Sequence, residues 1–254
     1  MKDGWIRLAK RLAGAMDDLL FPADVACLCC GAALAPGEAQ LCEACADVLN
    51  ALEARQQAIE AATVRALPAG ISYVYAAYPY EGVAKRLIRV LKFDHVRDAA
   101  LPLARAMSML PAGEEDVIVP VPTTRRRLRM RGFNQSELLA REMGRILGME
   151  VLPLLARRDD RAAQSSLPAF LRRRNLQGCM IADRRAAGRR VLLVDDVMTT
   201  GATAEEAARA LLDAGAVSVG MLAAARPTGR RREDPPFLRM HAPGEKRARA
   251  DGNE

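Results

Sequence analysis

The chain has 254 residues, of which half are apolar and 27% are charged. This length accommodates one medium α/β domain with a small accessory module, and the composition is that of an ordinary globular protein. No apolar run reaches the roughly 18 residues that a membrane-spanning helix needs, so we expect no stable membrane insertion.

The formal net charge of +7 predicts an anionic partner, such as phosphate groups, nucleic acid or an acidic surface. A coding bias toward arginine and alanine would produce the same charge. Charge alone therefore leaves the partner open.

Residues 1–21 are predicted to form an amphipathic helix. Apolar side chains recur there at helical spacing: Trp5, Leu8, Leu12, Met16 and Leu19. A secretory signal would need an uninterrupted apolar stretch, which Lys10 and Asp17 break. We therefore expect a cytoplasmic protein.

Five of the six cysteines lie between residues 27 and 45. In a cytoplasmic protein such a cluster favours a metal site over disulfides. Two C-x-x-C pairs supply the four thiolates of a structural Zn²⁺ site: Cys27, Cys30, Cys42 and Cys45. Cys29 is the spare cysteine unless the ligand register is shifted, and buried or oxidised cysteines are the alternative to zinc. We expect residues 22–66 to form a zinc-ribbon-like module with a linker helix.

Residues 67–228 are predicted to form the main domain, followed by a disordered tail at 229–254. Residues 71–80 have the β-formers of a strand or hairpin, and 82–110 have helical periodicity. Beyond residue 114, strands and helices alternate. Strands are predicted at 116–122, 150–156, 190–197 and 217–223, and helices at 134–147 and 204–214. This alternation predicts an α/β fold with an open, mostly parallel sheet flanked by helices.

The segment 191–203, VLLVDDVMTTGAT, carries the clearest functional pattern. A buried strand ends in Asp195 and Asp196, and a turn containing Gly201 leads into a helix. Ligands bind beyond the carboxyl ends of parallel strands, and a helix start offers unpaired N–H groups to a phosphate. The acids would repel a phosphate but can accept hydrogen bonds from sugar hydroxyls. The pattern therefore predicts a phosphorylated sugar as the ligand.

This motif resembles the phosphoribosyl-pyrophosphate motif of type I phosphoribosyltransferases. Three further segments resemble the ComF family of ComFC/GntX-like proteins: LLFPADVACLCCG, LCEAC and VPVPTTRRRLRMRGFNQSELLA. The resemblance covers roughly residues 18–226, and VDDVMTTGAT and RGFNQ are its most specific parts.

The resemblance implies a phosphoribosyltransferase-type sheet that binds 5-phosphoribosyl-1-pyrophosphate (PRPP) together with Mg²⁺. Asp195 and Asp196 would hold the ribose hydroxyls. The 5′-phosphate would lie in the turn formed by Thr199, Thr200, Gly201, Ala202 and Thr203. The basic loop after Pro122 would contact the pyrophosphate through Arg125 and Arg131. Asn134 would cap the following helix, Gln135 would point into the site, and 157–178 would be a mobile loop over it.

Three functional hypotheses follow. The first is an enzyme that transfers phosphoribosyl to a nitrogenous acceptor and releases pyrophosphate. The second, suggested by the ComF resemblance, is a non-catalytic accessory protein of DNA uptake that binds single-stranded DNA and a competence helicase. The third is a sensor for which PRPP is only an effector.

Overall fold

The structure, a computed structural model, describes residues 26–62, 67–158 and 178–228. The predicted helix at 1–21, most of the stretch 157–178 and the predicted tail at 229–254 lie outside the described residues. Within the described parts of the chain, no helix is both long and apolar enough to cross a membrane.

The central sheet has four parallel strands. They are β1 (Val74–Pro79), β2 (Val117–Pro120), β5 (Arg190–Val197) and β6 (Ser218–Arg226). Their order across the sheet is β1-β6-β5-β2. A separate antiparallel pair is formed by β3 (Leu155–Arg157) and β4 (Met180–Ala182).

Six α-helices accompany the sheet in the described part of the chain. They are α1 (Glu43–Ala62), α2 (Gly82–Phe93), α3 (Ala100–Ser108), α4 (Arg125–Arg131), α5 (Gln135–Leu147) and α6 (Ala202–Asp213). The described residues also include short 3₁₀ turns at Arg97–Ala99 and Arg184–Ala186.

The sheet is buried on both faces, which explains the continuous apolar run of β5. Leu192 and Val194 pack with α2, α3 and α5 on one face. Val191 and Leu193 pack with α6 on the other. Because successive strand residues project to opposite faces, a central parallel strand must be apolar at every buried position. The predicted sheet, parallel and flanked by helices, is confirmed.

The cysteine module packs directly onto the main domain. Cys27, Cys45 and Leu49 belong to the same buried cluster as the apolar residues of α2 and α3. The helix α1 begins one residue after Cys42 and packs against β1. The module and the sheet therefore share one hydrophobic core.

Several predicted elements differ in the structure. Of the strand or hairpin predicted at 71–80, the strand is confirmed as β1 (Val74–Pro79), which pairs in parallel with β6. The helical stretch 82–110 is divided between α2 and α3, with His95 in a left-handed conformation at φ 61° between them. The predicted strand 150–156 is interrupted at Pro153, which has no N–H to donate. Only Val151 bridges to β2, and β3 belongs to the small second sheet.

Candidate functional site

The crevice between β2 and β5 lies where the connections that follow the two strands pass to opposite faces of the sheet. The chain leaving β2 forms α4 and α5, and α5 packs on one face of the sheet. The chain leaving β5 forms α6, which packs on the opposite face. In open parallel sheets, ligands bind at the carboxyl ends of the strands at such a point. The candidate site begins there, where β5 ends with Asp195 and Asp196.

The turn after β5 leads directly into α6. The amide of Met198 donates to the carbonyl of Ala225 at 3.0 Å, which holds the start of the turn beside β6. Gly201 precedes the first residue of α6 with φ +80°. A Cβ atom at Gly201 would lie 2.9 Å from Cγ of Pro68. Both the left-handed backbone and this close approach require glycine here.

The same turn contains backbone amides without hydrogen-bond partners among the described residues. Thr199 and Thr200 are exposed. Within the described residues, the amides of 199–201 and of Thr203 donate no hydrogen bond, and that of Ala202 makes only a long contact of 3.5 Å to Oγ1 of Thr200. Unpaired amides at a helix start carry partial positive charge and form a site suited to an anion.

The two acids at the end of β5 are each anchored through one oxygen. Oδ1 of Asp195 accepts hydrogen bonds from Oγ of Ser136 and from the amide of Asp196, both at 2.8 Å. Oδ1 of Asp196 lies 2.7 Å from Nζ of Lys92 in a largely buried ion pair. The structure thus brings two carboxylates, a lysine and a helix start together at one edge of the sheet.

Burial raises the pKa of the Asp195 carboxyl to about 7, and the negative charge of Asp196 adds to the rise. The ordinary value is 3.8, so between about pH 4 and pH 7 the folded protein holds a proton that the unfolded chain has released. The stability due to this group is fully present below about pH 4 and is lost as the pH rises through 7.

Asp195→Asn is therefore expected to stabilise the fold at high pH only. The amide oxygen can still accept from Ser136, while the cost of a buried charge disappears. We expect a gain in the free energy of unfolding on the order of 1–3 kcal/mol at pH 8 and no gain near pH 4, measured by thermal unfolding across this range. Asp213→Asn, which removes an exposed charge, serves as the control. A stability difference that does not vary with pH would contradict the prediction.

The basic segment after Pro122 is a short helix rather than the predicted loop. Thr124 caps α4 by accepting from the amide of Arg127 at 3.3 Å, and Gly132 ends the helix with φ 75°. None of the seven residues of α4 is buried, and Arg125 is exposed at its first position. The sequence RRRLRMR has an N-terminal cap and a C-terminal glycine, which together allow one short helix.

Arg131 and Gln135 lie together at the junction of α4 and α5. Nη1 of Arg131 donates to Oε1 of Gln135 at 3.0 Å, and the guanidinium lies 5.2 Å from the centroid of the Phe93 ring. Burial lowers the pKa of Arg131, as does the charge of Arg127, whereas the charge of Asp196 opposes this. Arg131 is thus within electrostatic reach of the acid pair.

Asn134 occupies the N-cap position of α5 but does not cap the helix with its side chain, contrary to prediction. Its Nδ2 donates instead to the carbonyl of Val121 at 2.9 Å. The amide of Val121 in turn donates to the carbonyl of Val194 at 3.0 Å. Asn134 therefore fastens the start of α5 to the chain that leaves β2, beside the acids.

Lys92 and Ser136 were missed by the sequence analysis. Lys92 lies 104 residues before Asp196 in the chain, in a helix that carries other basic residues, and nothing local predicts its partner. Ser136 directly follows Gln135, a predicted site residue, at a predicted helix start. Its position next to Gln135 could therefore have identified it as a candidate site residue.

A buried polar group connects the linker helix α1 with the turn after β5. Nη1 of Arg226 lies 3.2 Å from Oε1 of Glu60, and Nη2 lies 3.6 Å from the sulfur of Met198. Glu60 also accepts from the buried Gln56 at 2.7 Å. The helix that begins at the cysteine module thus ends in contact with the chain that forms the candidate site.

The four predicted ligand cysteines converge at the start of α1. Their sulfur atoms all lie within 4.8 Å of one another, and the sulfurs of Cys30 and Cys42 are 3.6 Å apart. Tetrahedral Zn²⁺ with bonds of about 2.3 Å places its sulfur ligands about 3.8 Å apart, so the group fits a metal ion of this kind. Gly31 forms the turn after the first pair with φ +75°. Cys29 is buried beside the group, and burial raises the pKa of its thiol to about 12, which favours the protonated form.

Comparisons with known proteins agree with this architecture. The model of the phosphoribosyl transferase domain family matches residues 154–242. The DNA utilization protein YhgH of Escherichia coli K12 is 38% identical over 142 residues, which are 52% of this chain and 63% of that protein. Competence protein F of Haemophilus influenzae is 34% identical over 115 residues, covering 44% of this chain and 50% of that protein. Competence protein ComFC of Bacillus subtilis is 28% identical over 146 residues, covering 55% and 58%.

The chain is similar to proteins of the ComF family over the part that these relatives share with it. This agrees with the segments that carried the resemblance in the sequence, and the domain match identifies its phosphoribosyltransferase-type domain. The chain spans less than two thirds of the length of these ComF relatives.

Proposed function

We propose that this chain binds PRPP with Mg²⁺ at the carboxyl edge of β5. Asp195 and Asp196 accept hydrogen bonds from the ribose hydroxyls, and the turn 199–203 holds the 5′-phosphate. Arg125, Arg131 and Gln135 face the pyrophosphate. The observation that carries the proposal is the pair of anchored acids directly beside a helix start with unpaired amides.

The turn before α6 has the properties of a phosphate site. Its amides are unpaired in the described structure, and the exposed threonines can donate hydroxyl hydrogens to phosphate oxygens. The α6 dipole favours negative charge at this end. Gly201 allows the backbone to close around the ligand without a Cβ atom.

Asp195 and Asp196 select a sugar rather than a second phosphate. Carboxylates repel a phosphate and accept strongly from hydroxyls. Asp196 lies three residues before Thr199, so the sugar would lie next to its own 5′-phosphate in the turn. Their carboxylate oxygens are also ligands that Mg²⁺ prefers, and bound Mg²⁺ supplies positive charge to the departing pyrophosphate.

If the site is catalytic, the reaction is displacement at C1 of the ribose. A nitrogen of the acceptor forms the new bond to C1 while the bond from C1 to the pyrophosphate oxygen breaks, and the acceptor nitrogen then loses its proton to solvent. The transition state resembles an oxocarbenium ion, so the protein contributes electrostatic stabilisation and positioning. Arg131 supplies positive charge near the leaving group.

The cysteine module holds Zn²⁺ in a structural role. All four ligands come from the protein, which leaves no open position for a substrate. Cys27 and Cys45 are buried in the core that α2 and α3 share, so the metal stabilises the packing of the module on the main domain.

A second candidate function is an accessory role in DNA uptake, with single-stranded DNA and a helicase as partners. The names of the relatives motivate it, as does α4. This helix presents five arginines and no buried residue, and Met130 and the neighbouring Phe93 are more than half exposed. Such a surface can contact a nucleic-acid backbone and stack on bases.

The two functions are separated by parallel assays on the same protein. An enzyme is expected to release pyrophosphate from PRPP with Mg²⁺ and one member of a panel of nitrogenous acceptors. A DNA-binding protein is expected to bind single strands with a steep dependence on salt. Failure to release pyrophosphate with any acceptor, together with tight PRPP binding, would contradict catalysis and leave the binding function.

A further inference from the structure

Lys92 approaches the acid pair from a helix that the phosphoribosyl motif does not include. It is the penultimate residue of α2, and its Nζ atom lies 2.7 Å from Oδ1 of Asp196. The side chains of both residues are only 16% and 13% exposed. The pair is therefore largely shielded from solvent, which strengthens its electrostatic attraction.

Contacts on both sides of Lys92 hold the C-terminal end of α2 in a fixed position. Leu87, Ile88 and Leu91 are fully buried and fix the helix on the sheet. Beyond the helix, Nδ1 of His95 lies 2.9 Å from the carbonyl oxygen of Arg131. The helix end is therefore held both by the core and by the α4–α5 junction.

Ser136 performs the equivalent contact on the other acid. It is the second residue of α5, it is 4% exposed, and its hydroxyl donates to Oδ1 of Asp195 at 2.8 Å. Successive residues of a strand project to opposite faces, which would turn the two acids apart. Both contacts nevertheless come from helices of the same face, α2 and α5.

Each acid is thus held through Oδ1, and its second oxygen remains available. Within the residues that the structure describes, no hydrogen bond reaches Oδ2 of Asp195 or of Asp196. Lys92 also offsets one of two adjacent negative charges, which reduces their repulsion. The Oδ2 atoms of Asp195 and Asp196 can therefore each accept a hydrogen bond from one of two hydroxyls on neighbouring carbons of a sugar.

We propose that Lys92 and Ser136 are positioning residues that orient Asp195 and Asp196 to read a vicinal diol. They make the site selective for a ribose phosphate over a 2-deoxyribose phosphate. This inference rests on the proposed function, and it adds to it two residues that set the selectivity for the ribose hydroxyls. Neither residue touches the sugar, since each acts through an acid.

The test compares three ligands: ribose 5-phosphate, 2-deoxyribose 5-phosphate and inorganic phosphate. Dissociation constants are measured for the wild-type chain and for Lys92→Met and Ser136→Ala. Lys85→Met changes another lysine of α2, and Ser108→Ala removes a hydroxyl that donates to the carbonyl of Ala104 within its own helix. Thermal unfolding of every variant verifies the fold.

The wild-type chain is expected to prefer ribose 5-phosphate over its 2-deoxy analogue by about tenfold or more, as for one hydrogen bond to a charged group. Lys92→Met and Ser136→Ala should each reduce this preference severalfold, with phosphate affinity unchanged. The two control variants should behave like the wild type. If Lys92→Met does not fold, Ser136→Ala carries the test, because it removes a single atom.

Equal losses for all three ligands would show a structural role and overturn the inference alone. Unchanged preference in both variants would overturn it as well, as would a wild-type chain that binds ribose and 2-deoxyribose phosphates equally. A wild-type chain that binds none of the three ligands would overturn the proposed function together with the inference.

Discussion

Changing Asp195 and Asp196 together to asparagine is expected to reduce PRPP affinity by at least about 100-fold. Each acid contributes a hydrogen bond from a charged acceptor to a ribose hydroxyl, worth about 1.5–3 kcal/mol. Two such losses correspond to roughly two to four orders of magnitude in the dissociation constant. Calorimetric titration with PRPP and Mg²⁺ measures the effect directly.

The matched control changes two exposed acids, Asp183 and Asp213, which pair with Arg185 and Arg209. Asp183→Asn with Asp213→Asn removes the same charge and should leave PRPP affinity within about twofold. Binding of single-stranded DNA, if α4 mediates it, should persist in both double variants. Wild-type affinity for PRPP in the Asp195 and Asp196 double variant would refute the assigned role of these acids.

Removal of the metal is expected to have the largest effect on stability. A site saturated at a thousand times its dissociation constant contributes about 4.1 kcal/mol to folding. For a domain of this size each kcal/mol corresponds to about 2–4 °C, so chelation should lower the midpoint of unfolding by about 8–16 °C. The effect should extend beyond the module, because the cysteines pack on α2 and α3.

Two buried cysteines, one a predicted zinc ligand and one not, provide a test variant and a matched control for the zinc site. Cys45→Ser removes one of the four converging sulfurs and should abolish stoichiometric zinc, as measured by elemental analysis. Cys29→Ser changes a cysteine of similar burial and should retain one zinc per chain. Loss of zinc in both variants would instead establish the alternative ligand register, in which Cys29 takes the place of Cys27 or Cys30.

The elements that the sequence predicts best are those whose residues are dictated by local burial. The strand predicted at 190–197 has those bounds in the structure, since VLLV is buried on both faces. The helix after Gly201 was likewise predicted, although it begins two residues earlier than expected. The left-handed conformation of Gly201 and the start of α6 both depend on residues close together in the chain, so the sequence predicts them.

The features that the sequence analysis did not predict depend mainly on contacts between residues that are distant in the chain. The strand expected at 150–156 was divided because Pro153 cannot continue the pairing with β2. The segment predicted as a basic loop forms the short helix α4, because Thr124 caps its N-terminus and the left-handed Gly132 ends it. Lys92 meets Asp196 only after α2 is placed on the sheet, and no spacing in the chain encodes that contact.

The central claim is that the end of β5 and the start of α6 bind a sugar bearing a phosphate. Calorimetric titration of the wild-type chain with PRPP and Mg²⁺, repeated with ribose 5-phosphate, tests it most directly. The predicted result is one PRPP bound per chain, with ribose 5-phosphate competing for the same site. The absence of heat and of any shift in thermal unfolding with either ligand, in a folded chain loaded with zinc, would contradict the claim.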